Sequence, residues 1–221
     1  LGHYTDGVER INIELSLSNK IRLCDELAAF FAGSALAHAW GPEDEVRPAQ
    51  DQIDAKVDEA QALVRAVRAR WQELVDGLDA MFPALQDHSL VASWKAELKA
   101  PLEEILAGLA FAPVLVRCNA IHRAVLRSRV FVALHMHAGD GNVHTNLPVN
   151  SDDYAMLREA NAAVARIMAL ARGLGGVISG EHGIGITKLA YLTLEELAPF
   201  TRYKAKVDPE GRFNAGKLLA G

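Results

Sequence analysis

His137-Ala138-Gly139-Asp140-Gly141-Asn142-Val143-His144 is the stretch whose reading decides the fold. Asp-Gly is a strong short turn signal, and a turn at Asp140-Gly141 folds the flanking residues into an antiparallel hairpin. A two-residue loop and a four-residue loop from Gly139 to Asn142 predict the same register, with Ala138 opposite Val143 and His137 opposite His144. Opposed Cβ atoms stand roughly 4.5–5.5 Å apart. From there two imidazoles can share one ion at about 2.0–2.1 Å per nitrogen. Side chains alternate with period two, so His135 and Asn146 are predicted on the same face.

A second segment, Val177-Ile178-Ser179-Gly180-Glu181-His182-Gly183-Ile184-Gly185, is an apolar run that breaks into a glycine-flanked acid and imidazole. Small residues on both sides let the backbone approach a ligand closely. Glu181 is the natural third donor beside His137 and His144, a set that suits zinc, manganese or another divalent first-row ion. Three protein ligands leave a coordination position open, as in catalytic metal sites. His182 points to the other side of the chain and is free for proton transfer. His135 reads as a hydrogen-bonded ring, with a fourth-ligand role as the alternative.

Together these segments resemble the C-terminal, substrate-side domain of the FAD-linked oxidase family that includes D-lactate, glycolate and D-2-hydroxyglutarate dehydrogenases. The family pattern is a HxGDGNxH run, a later SxEHGxG run, a lysine shortly after and a terminal DPxGxxNPGK. Here these are His137 to His144, Ser179 to Gly185, Lys188 and Asp208 to Lys217. Ala215 stands where the family usually has proline, which leaves the backbone there less rigid without removing a reactive group. The resemblance is specific over residues 129–219.

That resemblance implies an α+β fold, an antiparallel, ferredoxin-like sheet with helices packed on one face. It implies His137, His144 and Glu181 as ligands of a zinc or manganese ion and His182 as the general base. Asn146 and Arg10 match substrate-contacting positions, and an amide or a guanidinium fork suits a carboxylate. Asn214 and Lys188 match positions near the flavin. The parent protein is expected to oxidise a D-2-hydroxy acid to a 2-oxo acid, with the ion polarising the substrate's oxygens and FAD accepting the hydride. No glycine-rich dinucleotide loop opens a helix after a strand in these residues. The expectation is therefore an upstream FAD-binding domain, an electron-transfer partner, and a fragment, residues 1–221, that is inactive alone.

Bulk properties agree with an ordinary globule. The chain has 221 residues, half of them hydrophobic, and a formal net charge of −5, which gives no electrostatic reason to expect nucleic acid. No apolar run is read as reaching the ~18–20 residues needed to span a bilayer, and no targeting segment is visible. Cys24 and Cys118 lie far apart without motif spacing and read as buried free thiols of a reducing, cytoplasmic compartment.

Glu9 to Leu15 alternates polar and apolar residues, predicting a half-buried strand, with Ser18 capping a helix through about Phe31. Gly33 to Gln50, with Gly41-Pro42, is a connector. Apolar positions from Ile53 to Met81 recur every three or four residues and predict one long amphipathic helix followed by Pro83. Shorter helical patterns cover about Leu90 to Leu109, interrupted near Pro101, and Pro113 to Leu126. Asn150 to Asp153 starts a further helix that ends at Gly173 or Gly175. A strand is predicted over Gly176 to Ser179 and a last helix over Thr193 to Val207. Residues 34–112 are read as a helical insertion into the family domain.

Two other functional classes share these residues. One is a metal-dependent hydrolase in which a zinc-bound water attacks. The other is a non-catalytic interaction module whose ion is structural, with His135 completing four ligands.

Overall fold

The strand expected over Glu9 to Leu15 is part of a helix. Val8, Ile11 and Leu15 are buried at a spacing of three and four, and the same rhythm continues through Leu27, Phe30 and Phe31 along α1 (Gly2–Ala32). Seven residues of alternation therefore coincided with a helical stripe, and the longer period prevails. Ser18 lies inside α1 and caps nothing.

The computed structural model describes residues 1–41 and 47–217, so Pro42 of the expected connector lies outside the described residues. After α1 come a short α2 (Ser34–Ala37), α3 (Gln50–Asp76) and α4 (Leu78–Gln86). The single helix predicted from Ile53 to Met81 is thus broken at Gly77. Pro83 sits within α4 rather than beyond a helix end, where its ring removes one backbone donor. Trp94–Lys99 forms a π-helical turn that leads into α5 (Ala100–Ile105), with Pro101 in the first turn of α5, where a missing N–H costs little. A 3₁₀ turn (Leu109–Phe111) precedes α6 (Ala112–Arg127). The hairpin strands are β1 (Ala133–His137) and β2 (Asn142–Asn146), followed by α7 (Tyr154–Gly173) and α8 (Leu194–Val207).

The chain divides into a helical unit, Val8–Ala133 with Asn146–Ala160, and a hairpin unit, Leu1–Gly7 with Leu134–Thr145 and the chain from Asn161 onward. In the helical unit α3 buries its predicted stripe, including Val57, Ala60, Val64 and Trp71, in one core with Leu27 and Phe31 of α1 and Leu98, Leu102 and Val114. Trp71 is fully buried, and its indole N–H donates to Glu97 Oε2 at 3.1 Å. Glu97 also accepts the Ser93 N–H at 2.6 Å and pairs with Arg70. Asn12 on α1 offers its amide as a strand edge would, exchanging bonds of 3.2 and 3.0 Å with the Val132 backbone. Cys24 and Cys118 are buried and unpaired in this core, and burial pushes both thiols up to about 12.

One helix departs from the reading that no apolar stretch is long enough to span a bilayer. Leu109–Arg127 has 19 residues and a mean hydropathy of 1.3. Its Val114, Cys118 and Val125 pack into the helical unit's core, while Leu109, Val116 and Leu126 are exposed.

The hairpin unit has a smaller core, with Ala163, Ile167 and Leu197 buried. The first turn of α1 lies against α7, so closely that a Cβ on Gly7 would come within 2.5 Å of a Leu170 methyl. α8 opens with the reciprocal bonds of a capping box between Thr193 and Glu196. Gly176 to Ser179 is not a strand; no described strand pairs with it, and Val177 is 80 % exposed. Among the described residues the sheet has two antiparallel strands, so the chain is a mainly helical α+β structure.

Candidate metal centre

The hairpin forms where its turn residues predicted it, with a different register. Two five-residue strands enclose the four-residue loop Ala138 to Gly141, closed by the Asp140 N–H donating to the His137 carbonyl at 3.0 Å. The loop takes this form because Gly141 holds φ +70° at its last position, a left-handed conformation that glycine adopts freely. The strand ends place Asn142 opposite His137 and His144 opposite His135. The expected His137–His144 pairing is therefore replaced by a diagonal. The partner shifts by two residues, so the histidines keep their common face.

On that face the His137 and His144 ring centroids are 5.7 Å apart. Glu181 comes from the glycine-flanked loop and reaches both rings: its Oε1 lies 3.9 Å from His137 Nε2 and its Oε2 lies 3.5 Å from His144 Nε2. The three donor atoms all lie within 4.8 Å of one another. Two donors about 2.1 Å from one ion stand no more than about 4.2 Å apart, so both carboxylate-to-imidazole separations fit and a small rotation closes the third. Half of His137 and half of Glu181 are exposed, while His144 is 21 % exposed, so the cluster opens to solvent on one side.

Asn142 is the residue that sequence reasoning passed over. Its side-chain N–H donates to Glu181 Oε1 and ties the hairpin to the acidic loop. Period-two alternation from His144 would have found it, because Asn142, His144 and Asn146 share a face. Gly180 makes the approach possible: a Cβ there would lie 2.9 Å from Asn142 Oδ1. The loop is stapled from within. Ser179 Oγ donates to the Gly183 carbonyl at 2.6 Å and accepts from Lys188 Nζ at 2.9 Å. Lys188 thus braces the loop that carries Glu181. Gly183 and Gly185 take φ +71° and +59°, the turns that a side chain would resist.

His182 sets its ring edge-on to that of His144, with the centroids 5.1 Å apart. His135 sits 6.0 Å from His144, centroid to centroid, and is outside the converging donor set. Asn146 ends β2, two residues beyond His144 and exposed. Arg10 belongs to the helical unit on α1, where its guanidinium pairs with Asp79 and lies 4.4 Å over the Phe82 ring. Asn214 adopts φ +47° in the C-terminal tail.

Glu181 also lines a cavity of about 1040 Å³ within the hairpin unit. Its walls come from the 176–185 loop, one side of α8 and the tail that contains Phe213, Asn214 and Lys217. Buried Asp208 anchors that tail, accepting from Lys204 Nζ at 2.9 Å and from the backbone N–H groups of Arg212 and Phe213 at 2.8 and 3.0 Å. The Lys204 bond, with help from those N–H groups and against the effect of burial, holds the Asp208 carboxyl below the usual carboxylate range.

The family of FAD linked oxidases, C-terminal domain, matches residues 41–218. The chain belongs to this family. Its match begins inside the segment read as an insertion and runs through the rest of it. The glycolate oxidase subunit GlcD of Escherichia coli K12 is 38 % identical over 92 residues, which is 40 % of this chain and 18 % of that protein. The D-lactate dehydrogenase of Archaeoglobus fulgidus is 42 % identical over 91 residues, 38 % of this chain and 19 % of that protein. GlcD of Bacillus subtilis is 32 % identical over 106 residues, 46 % of this chain and 23 % of that protein. The chain spans about a fifth of the length of the curated relatives it matches. No solved structure matches it.

Proposed function

We propose that this chain is the substrate- and metal-binding part of an FAD-dependent oxidoreductase that oxidises a D-2-hydroxy acid to the 2-oxo acid. The observation that carries the reading is the convergence of His137, His144 and Glu181 donors within 4.8 Å, with the His182 ring beside His144. The donor set, two imidazoles and a carboxylate, fits zinc or manganese. When bound, such an ion supplies Lewis-acid polarisation of the substrate's oxygens, and FAD, held outside these residues, supplies hydride acceptance.

The chain's own residues have four tasks. His137, His144 and Glu181 hold the ion, and Asn142 fixes the orientation of the Glu181 carboxylate. His182, one ring away from a ligand, takes the hydroxyl proton on an imidazole nitrogen. Asn146, on the same hairpin face, donates its amide to the substrate carboxylate. Lys188 and Asn214 shape the loop and tail that face the flavin. Arg10 is left out of this assignment because Asp79 and Phe82 already engage its guanidinium. The two-stranded hairpin and the unpaired Gly176 to Ser179 segment are, in this proposal, completed into a ferredoxin-like sheet by the remainder of the protein, and residues 34–112 form a helical element distinct from that sheet.

Metal analysis tests the site. The protein should carry about one divalent ion per chain, and His144→Ala should lose it, since two of three ligands rarely retain a first-row ion. Equal metal content in both proteins would remove the basis of the proposal. In the flavin-loaded enzyme, His182→Ala should keep the metal and lose roughly 10²–10⁴-fold in turnover, the usual worth of a positioned base.

A further inference from the structure

The cavity beside Glu181 is far larger than a two- or three-carbon hydroxy acid can fill, and its walls are not built for a polar ligand. Ile178, Ile184, Leu192, Phe200, Tyr203 and Phe213 face it. Its charged residues are largely paired with one another: Arg172 with Glu196 at 3.1 Å and Lys204 with Asp208 at 2.9 Å. What remains for a ligand is mostly apolar surface, with Asn214 and Lys217 on the tail and Glu181 as the shared member of the cavity wall and the donor cluster. A molecule whose carboxylate and hydroxyl oxygens reach an ion held by Glu181 therefore has its third substituent at the mouth of this cavity.

Resting on the function proposed above, we infer that the cavity is the side-chain subsite and that the preferred substrates are 2-hydroxy acids with a long aliphatic or aromatic side chain, rather than glycolate or lactate. Ligand cavities of this volume are mostly apolar with a few polar groups, and here Glu181 is the polar group shared with the donor cluster. Each methylene that enters the apolar walls should tighten binding about fourfold, the equivalent of roughly 0.8 kcal/mol for a buried CH₂.

The test is a binding series on the zinc-loaded protein by titration calorimetry, using glyoxylate, pyruvate, 2-oxobutyrate, 2-oxohexanoate and 2-oxooctanoate, with 2-oxohexanedioate as the acidic counterpart. The expected result is affinity that climbs with chain length from pyruvate to 2-oxooctanoate, and a flatter climb in Phe200→Ala and in Phe213→Ala. Phe200 belongs to α8 and Phe213 to the tail, so misfolding of one variant leaves the other informative. Equal affinity for glyoxylate and 2-oxooctanoate would overturn the subsite while leaving the metal and the oxidation reaction in place. Tighter binding of 2-oxohexanedioate than of 2-oxohexanoate would also overturn it, pointing to Lys217 on the cavity wall as a carboxylate receptor. Binding of none of these acids, with zinc present at one per chain, would sink the proposed function itself and this inference with it. The same order of preference in kcat/KM should appear for the corresponding D-2-hydroxy acids in the flavin-loaded enzyme.

Discussion

Gly180 and Asn142 decide how the acidic loop meets the hairpin, and neither is a ligand in the proposed site. A Cβ on Gly180 would press on the Asn142 amide at 2.9 Å, and that amide is the group donating to Glu181. The Asn142 side chain would have to shift, and because its amide holds Glu181 the cost falls on ligand orientation. Gly180→Ala and Asn142→Ala should each weaken zinc binding about 10–100-fold, as loss of an outer partner of a metal ligand does. Competition with a chromophoric chelator measures this, and unchanged affinity in both variants would show that Asn142 positions nothing. At this scale much of the candidate site was legible in the chain. His137, His144 and Glu181 announce themselves by residue type and by the turn between the histidines, because metal donors come from a short chemical menu. Asn142 was missed because an amide that orients a carboxylate looks, in sequence, like any other turn residue. The partners that Arg10 has in the structure, Asp79 and Phe82, could not be read locally because they lie some seventy residues away along the chain.

Elements are where local pattern and tertiary context disagree most. The helices α3, α6, α7 and α8 were readable from apolar spacing, caps and breakers, the first three burying a stripe and α8 opening on a capping box. α1 was not, because seven alternating residues fit both periods and only the continuation to Phe31 separates them. Gly176 to Ser179 failed for another reason: a strand exists only with a pairing edge, which a sequence window cannot supply. The junction after α8 carries its own prediction. Asp208 is held below the usual carboxylate range, first by Lys204 and then by the Phe213 and Arg212 N–H groups. A depressed native pKa contributes stability that is present above the unfolded value of about 3.9 and is lost as the pH falls through the native value. Thermal melts between pH 7 and pH 3 should show the wild type losing stability in acid. Asp208→Asn should start less stable and lose less. Parallel acid profiles for the two proteins would mean that the carboxylate does not anchor the tail.

At the scale of the whole molecule, the two units differ in what holds them together. The helical unit has a continuous core around Trp71, Leu98 and Leu102, whereas the hairpin unit buries Ala163, Ile167 and Leu197 and leaves the 174–190 stretch largely exposed. That the chain would combine helices with an antiparallel hairpin followed from its periodicities and turn residues, whereas the further strands expected at Glu9 to Leu15 and Gly176 to Ser179 are absent from the described residues. That the helices from α1 to α6 would gather into one unit did not, because the division depends on which stripes meet, and no stripe names its partner. The thin core of the hairpin unit has a consequence in time rather than in space. Backbone amides open in cooperative groups whose free energies follow local burial. In deuterated buffer the amides of α3 and α5 should therefore exchange last and those around residues 174–190 first. A ligand that binds only the closed form slows opening by its free concentration relative to its Kd. Added zinc should accordingly lengthen the exchange lifetimes of the hairpin and the Glu181 loop and leave those of α3 where they were, so that the slowest clock in the protein and the one set by the metal run in different halves of the chain.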